Sequence, residues 1–358
     1  MLATLPLLVA GAIGDGAALA QAPLRISPQG GQRPAATPAR PKPQPKKPQP
    51  KKPQSKHPAA KPKPAASANK PAAAAPTEDA AYGAFQRGHF LTAFDEAMRR
   101  VKETGDANAM TLIGELFANG FGVPRDDAKA VEWYKRAADK GNSDAIFALA
   151  MFHLNGRAGP KNTDAAVDLL ARAAAMGHIG AEYDLGLMYL EGKVVKADNA
   201  QALKYIKAAA DAGSPEAQYV LAGMYRDGRG VAPDRVECAR LLGLAAQANV
   251  PDAQLEFAIA LYNGDGVPKN EARAAALLEK VARRGNPVAQ NRLAHVLIAG
   301  KGVPANPVEA AKWHIIARAQ GEKDAALDSF LDKLPADQRQ AGEKSADAWL
   351  KLMPHSRS

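Results

Sequence analysis

The residues of this sequence that could do chemistry are few, and the first candidate is a glycine-rich stretch. Residues 263–270 read NGDGVPKN, with two glycines one residue apart. Such a Gly-x-Gly can begin a loop that binds phosphate, but a phosphate loop also needs a following Gly-Lys-Ser/Thr or a strand before it. Both are missing, and the stretch recurs as NGFGVP at 119–124 and AGKGVP at 299–304. We therefore interpret it as a structural turn.

The other candidate catalytic and metal-binding residues form no recognisable site. The seven histidines include no pair three or four residues apart and no His-Glu-x-x-His, which a zinc site on one helix would require. There is no Gly-x-Ser-x-Gly motif, the usual setting of a serine nucleophile. Cys238 is the only cysteine, so the chain has no internal disulfide or cysteine metal cluster. The sequence predicts no enzyme activity, no cofactor and no metal.

Turn glycines recur along the chain at a constant spacing. The leading glycine of each turn stands 36 residues before the next, as in Gly120 and Gly156, and the copies at 155–160 and 191–196 lack the second glycine. The assigned turn glycines are Gly120, Gly122, Gly156, Gly192, Gly228, Gly230, Gly264, Gly266, Gly300 and Gly302. We expect positive φ angles there, which glycine adopts without steric penalty. A fixed period of this length indicates a repeat array rather than one ligand site.

Each repeat contains two apolar series of helical periodicity. In the unit 213–248, Ala217, Leu221 and Tyr225 stand four residues apart before the turn, and a second series follows it. These spacings place side chains on one face of a helix. The predicted units are 105–140, 141–176, 177–212, 213–248, 249–284 and 285–320. A single helix pair cannot bury both of its faces, so the units must stack into a solenoid with a continuous core.

The repeat resembles a known family. The pattern Ala-x-x-x-Leu-Gly-x-x-Tyr-x-x-Gly-x-Gly-Val, followed by Ala-x-x-Trp/Tyr-x-x-Ala-Ala-x-x-Gly, is similar to the Sel-one-like repeat (SLR), a relative of the tetratricopeptide repeat; 105–140 and 213–248 are clear copies. The resemblance covers 105–320. It implies an all-α fold, a right-handed α-solenoid of stacked helix-turn-helix repeats. It also implies adaptor work, either assembling complexes or holding a signalling protein in one state.

The ends of the array are expected to be capped. Residues 78–104 read as an N-terminal helix pair without the glycine loop, and 321–358 as C-terminal capping helices and a tail. A solenoid requires such caps because its terminal units would otherwise expose apolar faces.

A partner-binding surface follows by analogy from the resemblance. In tetratricopeptide-like arrays, certain positions of the first helix line the concave surface, and here they are often apolar or aromatic. The predicted partner-binding residues are Phe147, Met151, Tyr183, Leu187, Tyr219, Arg226 and Tyr262. They would form a groove with aromatic anchors for a protein or peptide partner. The alternative is that a tightly wound solenoid buries this stripe as core.

The segment 21–77 differs from the rest of the chain. It carries 12 Lys or Arg and no acidic residue, while the formal net charge of the whole chain is +10. Its Pro, Lys and Ala content predicts a disordered, extended spacer. Alternatively, its lysines bind an anionic polymer: nucleic acid in the cytosol, or membrane surface and envelope polymers after export. The segment has no aromatic residue to stack on bases, so nucleic-acid binding would be independent of sequence.

Residues 1–20 resemble a signal peptide. The run is apolar, ends in Ala18-Leu19-Ala20, and is short for a membrane span. We therefore expect a periplasmic, non-enzymatic scaffold of the bacterial envelope, for which nucleic acid is an unlikely partner. The alternative is a cytoplasmic nucleic-acid-associated protein that binds through its Lys/Pro-rich tail.

Overall fold

The computed structural model describes residues 80–157 and 159–352. Within these ranges the chain forms sixteen α-helices and no strand. In chain order they are α1 (Ala80–Gln86), α2 (Phe90–Thr104), α3 (Ala107–Asn119), α4 (Asp127–Asp139), α5 (Ser143–Asn155), α6 (Thr163–Ala175), α7 (Ile179–Glu191), α8 (Asn199–Asp211), α9 (Pro215–Asp227), α10 (Arg235–Gln247), α11 (Pro251–Asn263), α12 (Glu271–Ala282), α13 (Pro287–Ala299), α14 (Pro307–Ala319), α15 (Ala325–Lys333) and α16 (Ala336–Leu352). The predicted signal peptide and basic spacer lie outside the described residues.

The helices are arranged as a stack of pairs. Six units follow one another from α3 to α14, each with a first helix, a glycine turn and a second helix. Each helix packs chiefly against its neighbours in the chain, and α16 folds back onto α14. The prediction of an all-α solenoid with a 36-residue period is confirmed. The helix pair α1–α2 precedes the six units, and α15 and α16 follow them.

The helices begin at side chains that satisfy their free N–H groups. From α3 to α14, every helix except α11 has an N-cap side chain that accepts a backbone N–H of its first turn. These residues are Asp106, Asp126, Asn142, Asn162, His178, Asp198, Ser214, Asp234, Asn270, Asn286 and Asn306. Such caps typically contribute about 1 kcal/mol each to helix stability. Polar residues after the glycine turns and between the units thus set where these helices start.

The turn glycines end the first helices and also form the joints between units. All ten have φ between 62° and 79°, as the turn interpretation requires. In addition, a Cβ at Gly230 would overlap the backbone carbonyl of Asn199, and one at Gly266 that of Arg235. Each of these carbonyls belongs to the first residue of the second helix in the preceding unit. Gly302 approaches Glu271, the first residue of α12, in the same way. Only a residue without a side chain permits this close approach.

Unit 2, which lacks the second glycine, makes its joint differently. Arg157 follows the leading glycine, and its guanidinium binds the Asp127 carboxylate at the start of α4 and the Ala118 carbonyl of α3. The same guanidinium lies 4.2 Å from the centre of the Phe152 ring. Arginine holds the pKa of Asp127 down at about 2, chiefly through the hydrogen bond from Arg157. A charged side chain therefore replaces backbone packing at this joint.

Candidate partner-binding surface

Five of the predicted partner-binding residues form one half-buried row on three consecutive first helices. Phe147 and Met151 lie on α5, Tyr183 and Leu187 on α7, and Tyr219 on α9. We call these five residues the central stripe. Each keeps part of its surface exposed while packing against the core of its own unit. An aromatic row of this kind resembles the anchors of protein interfaces, which present large apolar area on a rigid support.

Tyr262 does not belong to this surface, contrary to the expectation. Its side chain is 0% exposed, and every residue of α11 from Ala253 to Tyr262 is buried. Neighbouring helices cover the corresponding positions in this part of the array. Tyr219 and Arg226 of α9, for example, bind Glu256 of α11. Further along, Asp324 at the start of α15 binds Asn291 and His295 of α13, at 3.0 and 2.7 Å. In the C-terminal units these positions are buried, as in the alternative prediction. In units 2 to 4 they are partly exposed.

Arg226 is partly exposed but is committed to partners within the array. Its Nη1 donates to Glu256 Oε2 at 3.1 Å and its Nε to Asp227 Oδ1 at 2.7 Å. Glu256 is 3% exposed and also accepts the Tyr219 hydroxyl at 2.9 Å. Burial raises the pKa of Glu256, while Arg226 and Tyr219 oppose that rise. The bonds from Arg226 and Tyr219 compensate a buried carboxylate and tie α9 to α11.

His178 has a structural role that the search for histidine pairs in the sequence did not reveal. Its Nδ1 accepts the Ala181 N–H at 3.0 Å, so the imidazole acts as the N-cap of α7. Its ring stacks on Phe147 with centroids 4.4 Å apart, and its Nε2 lies 3.3 Å from Asp144 Oδ1. The signal was present in the alignment of units, because the same position holds Asp106, Asn142 and Ser214.

Carboxylates flank the central stripe. Burial raises the pKa of Asp184 to about 6, and burial followed by the charge of Asp144 raises the pKa of Glu115. The pKa of Tyr183 rises to about 12, first through burial and then through the charges of Glu216 and Asp184. Asp184 and Glu115 have no ion pair within the described residues. The surface therefore combines aromatic area with negative charge that is not neutralised locally.

The described residues offer little for other kinds of chemistry. Cys238 is buried, and burial raises the pKa of its thiol to about 11, which disfavours the reactive thiolate. No three His, Cys, Asp or Glu side chains of 80–157 and 159–352 are grouped so that they could hold a metal ion. In the same part of the chain, no helix is both long enough and apolar enough to cross a membrane. What the arrangement does offer is a row of partly exposed aromatic side chains.

Comparison with known protein families identifies the repeat. The family model of the Sel1 repeat matches six consecutive segments, each offset by two residues from the predicted units: 107–142, 143–178, 179–214, 215–250, 251–286 and 287–322. No curated protein sequence matches the chain.

Solved structures give the same fold. One is a protective antigen of uropathogenic Escherichia coli strains that displays an SLR fold, at 23% identity and a TM-score of 0.59, over 78% of this chain and 65% of that one. Another is a Sel1 repeat protein from Oxalobacter formigenes, at 25% identity and a TM-score of 0.56, over 67% of this chain and 98% of that one. This chain thus spans slightly less than two thirds of the antigen's length, and at that identity the likeness concerns the fold alone.

Proposed function

Because this chain belongs to the Sel1 repeat family, whose members typically mediate protein–protein interaction, we propose that it is a non-enzymatic scaffold that binds a partner protein along its first helices. The observation that carries this proposal is the central stripe, with three partly exposed aromatic side chains on α5, α7 and α9. Their backbones belong to rigid helices, so little ordering entropy opposes binding.

The stripe can be tested by site-specific crosslinking in the cells that produce the protein. A photoreactive phenylalanine analogue placed at Phe147 or Tyr183 should form an adduct with one and the same protein. The matched control carries the analogue at Glu132, an exposed position of α4, and should not form that adduct. Adducts of equal yield from Glu132, or none from the two stripe positions, would contradict the proposal.

We further propose that this scaffold works in the bacterial envelope. The apolar stretch 1–20 with its Ala-Leu-Ala ending supports export. The test is to fractionate the cells and determine the N-terminal residue of the mature protein. A chain that begins at about Gln21 in the periplasmic fraction agrees with the proposal, whereas an intact N-terminus in the cytosol contradicts it.

One observation favours a second candidate function, association with nucleic acid. Residues 21–77 carry 12 basic and no acidic side chains, and lysines that neutralise phosphates give binding that weakens steeply with salt. The measurement is retention of the full chain on double-stranded DNA at increasing salt. A cytosolic chain with steeply salt-dependent retention would make this candidate the working one.

A further inference from the structure

We propose that the central stripe selects an extended, cationic segment of its partner, with Lys or Arg at about every third residue. This inference rests on the proposed function and adds the chemistry of the partner. The first helices α3, α5, α7 and α9 contain seven acidic residues and one Lys or Arg, a formal net charge of −6. The second helices of the same four units contain seven acidic and eight basic residues. Negative charge is therefore segregated onto the helices that carry the stripe.

Local cations neutralise only part of this charge. Glu191 pairs with Lys193 and Asp227 with Arg226. Within the described residues, no Lys or Arg forms an ion pair with the remaining carboxylates that the stripe adjoins, which are Glu115, Asp144, Asp184 and Glu216.

Arg226 is the one Lys or Arg in those four helices. Its guanidinium is bound to Glu256 and Asp227. His178 uses Nδ1 as an acceptor for the Ala181 N–H, which leaves Nε2, 3.3 Å from Asp144 Oδ1, as the only ring nitrogen that can donate. A cationic partner would supply the countercharge that the array lacks.

The carboxylates run alongside the stripe from unit 1 to unit 4. The charge of Asp144 acts on Glu115 of the preceding unit. The charge of Glu216 acts on Tyr183, also of the preceding unit, together with that of Asp184. The series Glu115, Asp144, Asp184 and Glu216 thus passes from each first helix to the next, beside Phe147 and Tyr183. A partner that follows the stripe meets a carboxylate at every unit.

The spacing of the units suits an extended segment. Side chains of consecutive first helices touch, as Tyr219 of α9 and Glu256 of α11 do, so the axes of these helices stand on the order of 10 Å apart. An extended polyproline-type chain advances about 3.1 Å per residue. About every third residue of such a segment would therefore reach the next carboxylate, while the residues between contact the aromatic rings. The same charge repels polyanions, so a nucleic acid or an anionic membrane surface is disfavoured on this face.

The test uses the full chain and three fluorescent synthetic peptides of about 18 residues, six turns of polyproline helix. They repeat Lys-Pro-Leu, Gln-Pro-Leu or Glu-Pro-Leu, and binding is followed by fluorescence anisotropy. We expect affinity to fall in that order, with the lysine peptide at least about tenfold tighter than the glutamate peptide. Added salt should weaken the binding of the lysine peptide, because exposed charges are screened.

The carboxylates are tested by a triple substitution of Glu115→Gln, Asp184→Asn and Glu216→Gln. We expect it to weaken lysine-peptide binding about tenfold and to leave the glutamine peptide unaffected. The matched control is Glu132→Gln with Asp168→Asn, two exposed acids at one repeat position of the second helices α4 and α6. This control should bind all three peptides as the unsubstituted chain does. Circular dichroism verifies that both variants are folded.

The outcomes separate this inference from the proposed function. Equal affinity for the three peptides, with weaker binding of all three by a Tyr183→Ala variant, overturns the cationic selection and retains the stripe as a binding surface. The cationic selection is also overturned if the control variant loses as much affinity for the lysine peptide as the triple variant does. The attraction would then come from the net charge of the protein rather than from the carboxylates beside the stripe. Failure of every peptide together with failure of the crosslinks at Phe147 and Tyr183 overturns both proposals.

Discussion

Arg226 stands at the edge of the central stripe, yet its guanidinium is held by carboxylates of the array itself. Removing it leaves Glu256 buried with only the Tyr219 hydroxyl as a partner. Breaking a buried ion pair costs more than the pair contributes, because an uncompensated charge remains in the interior. Among the predicted binding residues, Arg226 and Tyr219 therefore also have a role in stability.

The first prediction concerns this network. Arg226→Ala should lower the free energy of unfolding by about 3 kcal/mol at neutral pH, and Tyr219→Phe by about 1–2 kcal/mol, through the lost hydrogen bond to a charged acceptor. Urea unfolding followed by circular dichroism measures both. Adding Glu256→Gln to Arg226→Ala should restore part of the loss, since the buried charge is then gone. If the double variant is no more stable than Arg226→Ala, the buried charge is not the cause.

The second prediction concerns Asp184, whose pKa is raised to about 6 by burial. An acid with a raised folded-state pKa binds its proton more tightly in the folded than in the unfolded chain. The protein therefore gains stability as the pH falls from 7 through 6 towards 4, and loses that stability as the pH rises again. Asp184→Asn should stabilise the array at pH 7 by about 1–2 kcal/mol, allowing for partial exposure. Melting temperatures of both proteins at pH 7 and pH 5 test this: the advantage of the variant should shrink at pH 5, and a constant difference would contradict the assignment.

At the scale of the turns, glycine has two separable roles. Gly177 has positive φ with open space around its Cα, whereas Gly266 has positive φ and also abuts the Arg235 carbonyl. Gly177→Ala should cost about 1–2 kcal/mol through backbone strain alone. Gly266→Ala should cost roughly 3 kcal/mol or more, because the added methyl group also forces two units apart. Urea unfolding of the two variants provides the comparison, and equal losses would show that the joint tolerates a side chain.

The same turns show what the sequence could and could not predict. The 36-residue recurrence of glycine and alanine predicts the helix pairs and their stacking, because periodicity is a local property of the chain. The contact of Gly266 with Arg235 joins residues from different units, and no local pattern reports it. The burial of Tyr262 has a similar origin, since it depends on how closely neighbouring helices converge. Sequence therefore predicts the repeat well and its deviations from regularity poorly.

At the scale of the whole array, the C-terminal end is closed by aromatic packing. The rings of Trp313 on α14 and Trp349 on α16 meet edge to face with centroids 5.2 Å apart. Gly342 brings α16 close to Ala311, and His314 Nε2 lies 2.8 Å from Asp328 Oδ1. These contacts cover the last unit, which has no following unit to pack against.

Removal of this cap should therefore affect more than the last unit. A chain that ends at Gly321 would expose Trp313, which is 2% accessible in the intact array. We expect a lower melting temperature, a broader transition and binding of an apolar dye, because end units of a solenoid unfold when unprotected. The point variant Trp349→Ala should give a smaller effect in the same direction. A truncated chain with an unchanged transition would show that α15 and α16 are dispensable.

Among the ion pairs that join consecutive units in the described residues, two involve a residue of the glycine turn, and these two have opposite polarity. In unit 2 the turn residue is Arg157 and its partner on the preceding unit is Asp127; in unit 5 the turn residue is Asp265 and its partner is Arg235. If units 2 and 5 were exchanged by recombination, each joint would bring together two like charges. The units share one fold but are not interchangeable. Each of these turns is matched in charge to the unit that precedes it, so a reordered array would replace two attractions by two repulsions.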